Sequence, residues 1–581
     1  MFKLLKRLKF KDWLLVLFIV VSTVGQVACE MSLIDEMGAV ISLIQYGSTM
    51  KKLVIQCLVM LGFTLGVATL GMLASFASSY VSSKLAKILR KEVFERVNSF
   101  SQEEINLFSV PSLITRTTND INQVQNTFQM CTRQLVMAPT MATFAIVNIL
   151  NNSFELSLVT AGAVAMLFVA MILIVKFVIP TFGKIQKATD RINSVARENL
   201  TGLRVVRAYN AEYYQEDKFE DANAEVTKRS LFVNRVFSFM GPFMTLIMNG
   251  LSLVIYWLGA SLINSSSIEY ASLAIFSQYS MHVVMSFMVI SFTITMIPRS
   301  FVSAKRINEV LDKTIRIRDG HGVKETEEVG TVEFKNVSFK YPGAEEYVVE
   351  GVSFRAEKGE TVAFIGSTGS GKSTIINLIP RFYDVTSGKV FVDGVNVKDY
   401  KLEDLKNKMG YVPQKGMLFS GTIESNIRYG KEDATDEEIA EALRVSQAEE
   451  FVSKLDEGLN YQIAQGGTNV SGGQRQRLCI ARAIVRKPEI FIFDDSFSAL
   501  DYKTDKVLRK ALKEYTKDST KLIVAQRIGT IIDADKIVVL DQGRVVGIGK
   551  HQELLNSCEV YKEIALSQLS KEELEYGKQE N

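Results

Sequence analysis

Residues 53–76, "LVIQCLVMLGFTLGVATLGMLASF", contain no charged side chain. A helix needs on the order of 20 mostly apolar residues to cross the hydrocarbon of a bilayer, and this stretch meets that requirement by itself. Further apolar stretches at 13–29, 135–151, 156–179, 243–263 and 271–297 bring the candidate spans to six. The third is the weakest, because it is short and contains Pro139. A hydrophobic fraction of 47% is high for a soluble enzyme and fits a chain with six such spans. The start, "MFKLLKRLKFKDWLLVLFIVV", has the basic head and apolar run of a signal peptide but no small-residue cleavage site, so it reads as a retained first span.

Basic residues beside the spans set the expected orientation. Lys3, Lys6, Arg7, Lys9 and Lys11 precede the first span, and Lys84, Lys87, Arg90, Lys91 and Arg96 follow the second. Lys184, Lys187, Arg191, Arg204 and Arg207 follow the fourth, whereas the short connections "NNSFE" and "NSSSIEY" carry no Lys or Arg. The N-terminus and both long connections are therefore expected in the cytoplasm, and six spans return the C-terminus to the same side. Apolar positions three and four apart, as in "SSKLAKILRKEVFERVNSF", predict that the spans continue into the cytoplasm as long helices.

After residue 330 the chain becomes charged, glycine-punctuated and strand–helix alternating. The expected organisation is a membrane domain at 1–313, a turn-rich linker at 314–330, an α/β nucleotide-binding domain at 331–570 and a polar tail at 571–581. The net charge of +3 offers no basic face for nucleic acid. The five cysteines are scattered without CxxC spacing and read as reduced thiols.

"TVAFIGSTGSGKSTIINLI" is a β-branched run, a glycine-rich loop and a helix, with Gly366, Gly371, Lys372 and Ser373 in the G-x-x-x-x-G-K-[ST] pattern. Such a loop, here Gly366, Ser367, Thr368, Gly369, Ser370 and Gly371, turns successive N–H groups inward around phosphate, and the helix that follows with Thr374 adds its N-terminal dipole. Lys372 is placed to neutralise the β- and γ-phosphates of ATP, and the Ser373 hydroxyl to ligate Mg²⁺. Further on, "NVSGGQRQRLCIARAIVRKPEIFIFDDSFSALD" holds Ser471, Gly472, Gly473 and Gln474, then a basic helix, then an apolar strand ending in Asp494. That strand would deliver a carboxylate to the Mg²⁺–nucleotide site.

These motifs, in this order behind six spans, resemble the ATP-binding cassette (ABC) transporters, specifically exporter-type half-transporters with one nucleotide-binding domain. The resemblance covers nearly the whole chain. It implies an ATPase coupled to transport in which Tyr341 of "FKYPG" stacks on adenine and Gln414 of "YVPQKG" contacts Mg²⁺. It also implies that ATP is sandwiched between two such domains, one supplying the phosphate loop and the other its Ser-Gly-Gly-Gln. "LITRTTNDINQV" at 113–124 and "ENLTGLRVVRAYNAEYYQEDKF" at 198–219 are similar to the intracellular segments whose short transverse helices press on the nucleotide domains.

Two positions depart from the family pattern. The residue after the Mg²⁺ aspartate is usually Glu and here is Asp495; a later strand usually ends in His and here reaches Gln526. Asp is one methylene short for a base that must come within about 2.6–3.2 Å of the water it activates, and an amide cannot relay a proton. Gln465 and Val470 also differ from common exporter residues, but Ser-Gly-Gly-Gln is intact. The expected protein is the degenerate-site subunit of a bacterial heterodimeric multidrug exporter in the plasma membrane. Its partner would be a second half-transporter carrying Glu and His. A homodimeric lipid or peptide exporter and an ATP-gated sensor or channel-like protein remain as alternatives. The substrate is expected to be a small molecule, but no motif specifies it; Phe276, Met281, Met285, Phe287, Met288 and Phe292 on the sixth span suit adaptable apolar contact, with His282 among them. No peptidase-like segment precedes the first span, which weighs against a leader-peptide-processing exporter.

Overall fold

The computed structural model describes residues 1–152, 154–264, 268–323 and 326–568; the tail at 571–581 lies outside the described residues. The chain divides into two compact units, one formed by Met1–Asn98 with Pro111–Lys313 and the other by Ser99–Val110 with Thr314–Asn581. Ser99–Val110, which by sequence lies inside the 1–313 segment, thus groups with the C-terminal unit.

The helices of the first 313 residues are α1 (Phe10–Gln45), α2 (Met50–Asn98), α3 (Gln102–Phe108), α4 (Ile121–Asn152), α5 (Phe154–Thr201), α6 (Leu203–Ala208), α7 (Glu212–Asn264) and α8 (Tyr270–Asp312). Among the described residues, six helical stretches are long and apolar enough to cross a membrane. Helix α2 is 49 residues long. At 1.5 Å per residue that is about 70 Å, more than twice the hydrocarbon thickness. Helix α4 is preceded by Val110–Thr115 and a single π turn, Arg116–Asp120, and accommodates Pro139 internally.

Different forces hold the two levels of the N-terminal unit together. Within the spans, Val27, Met31 and Ile34 of α1 share one face and pack with Met141 and Ile149 of α4, Leu251 and Ile255 of α7, and Phe276, Tyr279 and Val283 of α8. In the most apolar window of α2, by contrast, no residue is buried within the unit, as expected of a surface whose solvent is lipid or another chain. Toward the far end of α8 the contacts become ionic. Arg116 meets Glu309 at 2.9 Å, and Asp120 takes Arg306 at 3.3 Å and the Ser303 hydroxyl at 2.9 Å.

In the C-terminal unit, β1 (Val332–Phe339), β2 (Val349–Ala356), β4 (Ser387–Val392) and β5 (Val395–Asn396) form an antiparallel sheet in the order β2-β1-β4-β5. The second sheet contains β3 (Thr361–Gly366), β6 (Met409–Val412), β7 (Ile490–Asp494), β8 (Thr520–Val524), β9 (Lys536–Asp541) and β10 (Arg544–Gly549), in the order β10-β9-β3-β8-β7-β6. All its pairs are parallel except β9 with β10. The central strands are buried on both faces, which explains runs such as "IFIF" in place of alternation. Phe334 stacks on Phe354 with ring centroids 4.6 Å apart, and Phe354 meets the edge of Phe364 at 5.1 Å. Phe364 is fully buried. Truncating it (Phe364→Ala) should cost about 3–5 kcal/mol, seen as a fall of several degrees in the unfolding temperature of the full-length protein by scanning fluorimetry.

Helix α3 lies in this unit, held by its own cap and by three contacts. Ser101 N–H donates to Glu104 at 2.8 Å, and the Arg316 N–H donates to the other oxygen of that carboxylate at 3.2 Å. Arg316 also pairs with Glu103 at 2.8 Å, and the Asn106 amide donates to the Tyr383 hydroxyl at 3.2 Å.

Candidate nucleotide site

The register of the parallel sheet assembles the site. Val524 of β8 lies opposite Phe364 of β3 and Asp494 of β7, so the segments leaving all three strands emerge at one edge. In sheets of this kind ligands bind outside the carboxyl ends of the strands. Gly366, the phosphate-loop residues, Asp494–Asp495 and Gln526 therefore converge although they are far apart in sequence.

The loop leaves β3 at Gly366, where a Cβ would stand 2.1 Å from the Leu540 carbonyl oxygen, so only glycine fits. Ser367, Thr368 and Gly369 form an exposed tip and Ser370 is buried behind it. The loop ends at Gly371 with φ +92°, where a Cβ would press to 2.5 Å on Val349 Cγ1. Helix α9 (Lys372–Leu378) begins there. Lys372 curls back over the loop, its Nζ donating to the Gly366 carbonyl at 2.9 Å and the Ser367 carbonyl at 2.7 Å. Burial lowers the ammonium pKa from the ordinary lysine value, with the Asp495 and Asp494 charges opposing. A cation stripped of water in this way is poised for an anion.

Ser373 Oγ donates to Asp494 Oδ1 at 2.8 Å. Burial pushes the Asp494 carboxyl up; the Ser373 bond opposes this and the neighbouring Asp495 charge adds to it. A hydroxyl and a carboxylate in contact form a hard-oxygen donor set of the kind that suits Mg²⁺ alongside phosphate and water. The Tyr341 ring meets the edges of Phe339 and Tyr383, with centroids 4.9 and 5.2 Å away, and its hydroxyl shares a hydrogen bond of 3.1 Å with Thr374 Oγ1.

Asp495 is the most constrained residue of the site. It adopts φ +47°, a left-handed conformation that Asp tolerates better than most side chains. Its N–H donates to the Val524 carbonyl at 3.0 Å, and Ser498 Oγ donates to its carbonyl at 2.9 Å. Its carboxylate Oδ2 accepts from Gln526 Nε2 at 2.8 Å and from Gln414 Nε2 at 3.3 Å. Asp495 is 7% exposed, under two glutamines that are themselves exposed. Burial raises its pKa, and the Gln414 bond works against that rise.

The four residues Ser471 to Gln474 are elsewhere in the unit. They cap helix α10 (Gly472–Ile484): Gln474 N–H donates to Ser471 Oγ at 3.2 Å, and Gln474 Oε1 accepts from Ser471 N–H at 2.9 Å. Ser471 and Gly472 are exposed, and the Ser471 side-chain and N–H bonds stay within the cap. Sequence reasoning did not find the link from Asn106 through Tyr383 to Tyr341. The aromatic pair in "RFYDV" was the available signal, but its partner lies 277 positions away.

A phosphate loop at the edge of a parallel sheet, carried behind six membrane-length helices, defines a membrane-bound nucleotide-binding protein. Residues 13–287 match the ABC transporter transmembrane region and residues 349–498 the ABC transporter domain. An uncharacterized ABC transporter ATP-binding protein of Mycobacterium tuberculosis is 40% identical over 513 residues, covering 87% of this chain and 88% of that protein. One of Bacillus subtilis is 36% identical over 88% of this chain and 89% of its own length. An ATP-binding/permease protein of Staphylococcus aureus, named for multidrug export, is 32% identical over 84% of this chain and 85% of its own length. The solved structure of a bacterial Atm1-family ABC exporter with ATP bound shares the fold with TM-score 0.79 at 22% identity, over 97% of this chain and 98% of that one. The chain belongs to the ABC transporter family.

Proposed function

We propose that this chain is one subunit of an ATP-driven exporter of lipophilic small molecules, that it pairs with a different half-transporter, and that its own site holds ATP and hydrolyses it slowly. The observation that carries this reading is the Asp495 carboxylate, short by a methylene and covered by the Gln526 and Gln414 amides. A general base must reach its water at about 2.6–3.2 Å. Here that position on Oδ2 is taken by an amide donor at 2.8 Å, which can neither accept nor pass on a proton.

The binding parts are complete. Lys372 meets the β- and γ-phosphates, the N–H groups of Ser367 to Gly371 line the phosphate path, and Tyr341, at the mouth beside Tyr383, stacks on adenine. Ser373, Asp494 and the Gln414 carbonyl would hold Mg²⁺, which when bound would neutralise phosphate charge. The Ser471-Gly472-Gly473-Gln474 helix cap, exposed at Ser471 and Gly472, completes the site of the partner, where Glu and His carry the rapid turnover. Export of varied lipophilic compounds is supported by the 32% identical Staphylococcus aureus relative named for multidrug export. Both termini face the cytoplasm, in keeping with the basic residues at 3–11 and 84–96.

The test is to tag the chain in its native host, extract it in mild detergent and identify by mass spectrometry what copurifies in equal amount. A second half-transporter with Glu and His at the positions of Asp495 and Gln526 is the expected result. Recovery of this chain alone as a homodimer would overturn the heterodimer.

A further inference from the structure

Helix α1 carries polar side chains turned into the packed interior along the last part of its apolar 13–29 run and just past its end. Thr23, Gln26 and Glu30 are three and four residues apart and so share one face. Thr23 is fully buried and Gln26 is 7% exposed, while Glu30 is half-buried. Thr23 Oγ1, Gln26 Oε1 and Glu30 Oε2 are each buried without a hydrogen-bond partner. The Gln26 carboxamide lies against α2 at Gly71, where a Cβ would come within 3.2 Å of Oε1. On the other side, α8 brings His282 within electrostatic range of Glu30.

Five residues beyond Glu30 on α1 the situation is different. The Tyr279 hydroxyl donates to Asp35 Oδ1 at 2.7 Å and to the Met31 carbonyl at 3.2 Å, so the nearby acid has a donor. Glu30 Oε2 has none, although a buried carboxylate oxygen is costly and ordinarily paired. What these three oxygens lack is a hydrogen-bonded donor, since His282 reaches Glu30 only at longer range, and the carboxylate of Glu30 selects a positive one. Gln26 and Thr23 are sealed behind it, whereas Glu30 stays partly open to an incoming group. Met285, 42% exposed and one turn from His282 on α8, is an adaptable apolar side chain on the same helix.

We propose that Glu30, backed by Gln26 and Thr23, receives the cationic head of a lipophilic substrate, an ammonium or guanidinium group on an apolar body. This inference rests on the export reading and names its substrate class. The probes are a matched pair, a dansyl-labelled dodecylamine and the corresponding dansyl-labelled dodecanol. Their binding is measured by fluorescence titration to the full-length protein with its native partner in nanodiscs, without nucleotide.

The wild type should bind the amine about tenfold or more tightly than the alcohol, as expected for hydrogen bonds to a charged group. Glu30→Gln should abolish that preference and leave alcohol binding unchanged. A preference that persists in Glu30→Gln, or its absence in the wild type, overturns the site. If Glu30→Gln binds neither probe, Glu30→Asp decides: an amine preference retained there supports the site, and its loss overturns it. Because no ATP is present, the readout is independent of transport. Failure of ATP-driven efflux would sink the export reading while leaving the amine preference measurable, and efflux of neutral compounds without an amine preference would sink the site alone.

Discussion

Replacing Asp495 by Glu and Gln526 by His together should raise ATP turnover at this subunit's own site by about 10²-fold or more. A positioned general base commonly contributes about 10²–10⁴, and both changes act on the same carboxylate. Glu extends the carboxylate by one methylene, past the point where Asp495 Oδ2 now meets the Gln526 amide at 2.8 Å. His replaces a donor that cannot titrate with a ring that can take and return a proton. Asp495→Glu alone should gain less, because Gln526 would still hold the new side chain. The gain is read as phosphate release in complexes whose partner site has been silenced. The substitution also has a structural cost, since Asp495 sits at φ +47°, where Glu is less at ease than Asp; a slightly lower unfolding temperature should accompany the faster turnover. Unchanged turnover in the double variant would mean that the base is not what limits this site.

The second large effect is an asymmetry between two substitutions in this one chain. Gly472→Glu should stop turnover of the complex by about 10²-fold or more, while Lys372→Met should reduce it only several-fold. A Cβ at Gly472 meets nothing within 4 Å, so the new side chain leaves this subunit's fold undisturbed. It would place a carboxylate against the γ-phosphate of ATP on the partner, where like charges at short range repel strongly. Lys372→Met removes the cation that folds over the phosphate loop, with bonds of 2.9 and 2.7 Å to the Gly366 and Ser367 carbonyls, and on the proposed asymmetric reading would empty only the slow site. ATPase assays on the purified complex distinguish the outcomes. Equal and near-complete loss from both substitutions is the pattern of two equivalent sites and would contradict the asymmetric reading.

Much of this architecture is written locally in the chain. The six apolar helices follow from uncharged stretches such as 53–76, because crossing lipid leaves few alternatives to a helix. The phosphate loop is legible because Gly366 and Gly371 occupy places where a Cβ would collide with neighbouring atoms. What could not be read depends on register and on contacts distant in sequence. Gln526 reaches Asp495 only because β8 and β7 pair in parallel with Val524 opposite Asp494. Helix α3 belongs to the C-terminal unit through Glu104, Glu103 and Asn106, a grouping that polar residues inside a long amphipathic stretch do not announce. In the spans, sequence drew attention to His282 and the methionines of α8. The unpaired oxygens of Gln26 and Glu30 become visible only once their neighbours are in place.

The most direct measurement is the nucleotide retained by the purified complex after a single turnover, separated rapidly from solution and quantified as ATP and ADP. One unhydrolysed ATP per complex, lost when Lys372 is replaced by Met, is the expected result and places the held nucleotide at this subunit's own phosphate loop. Two ADP per complex, with no ATP retained, would show that Asp495 and Gln526 support ordinary hydrolysis.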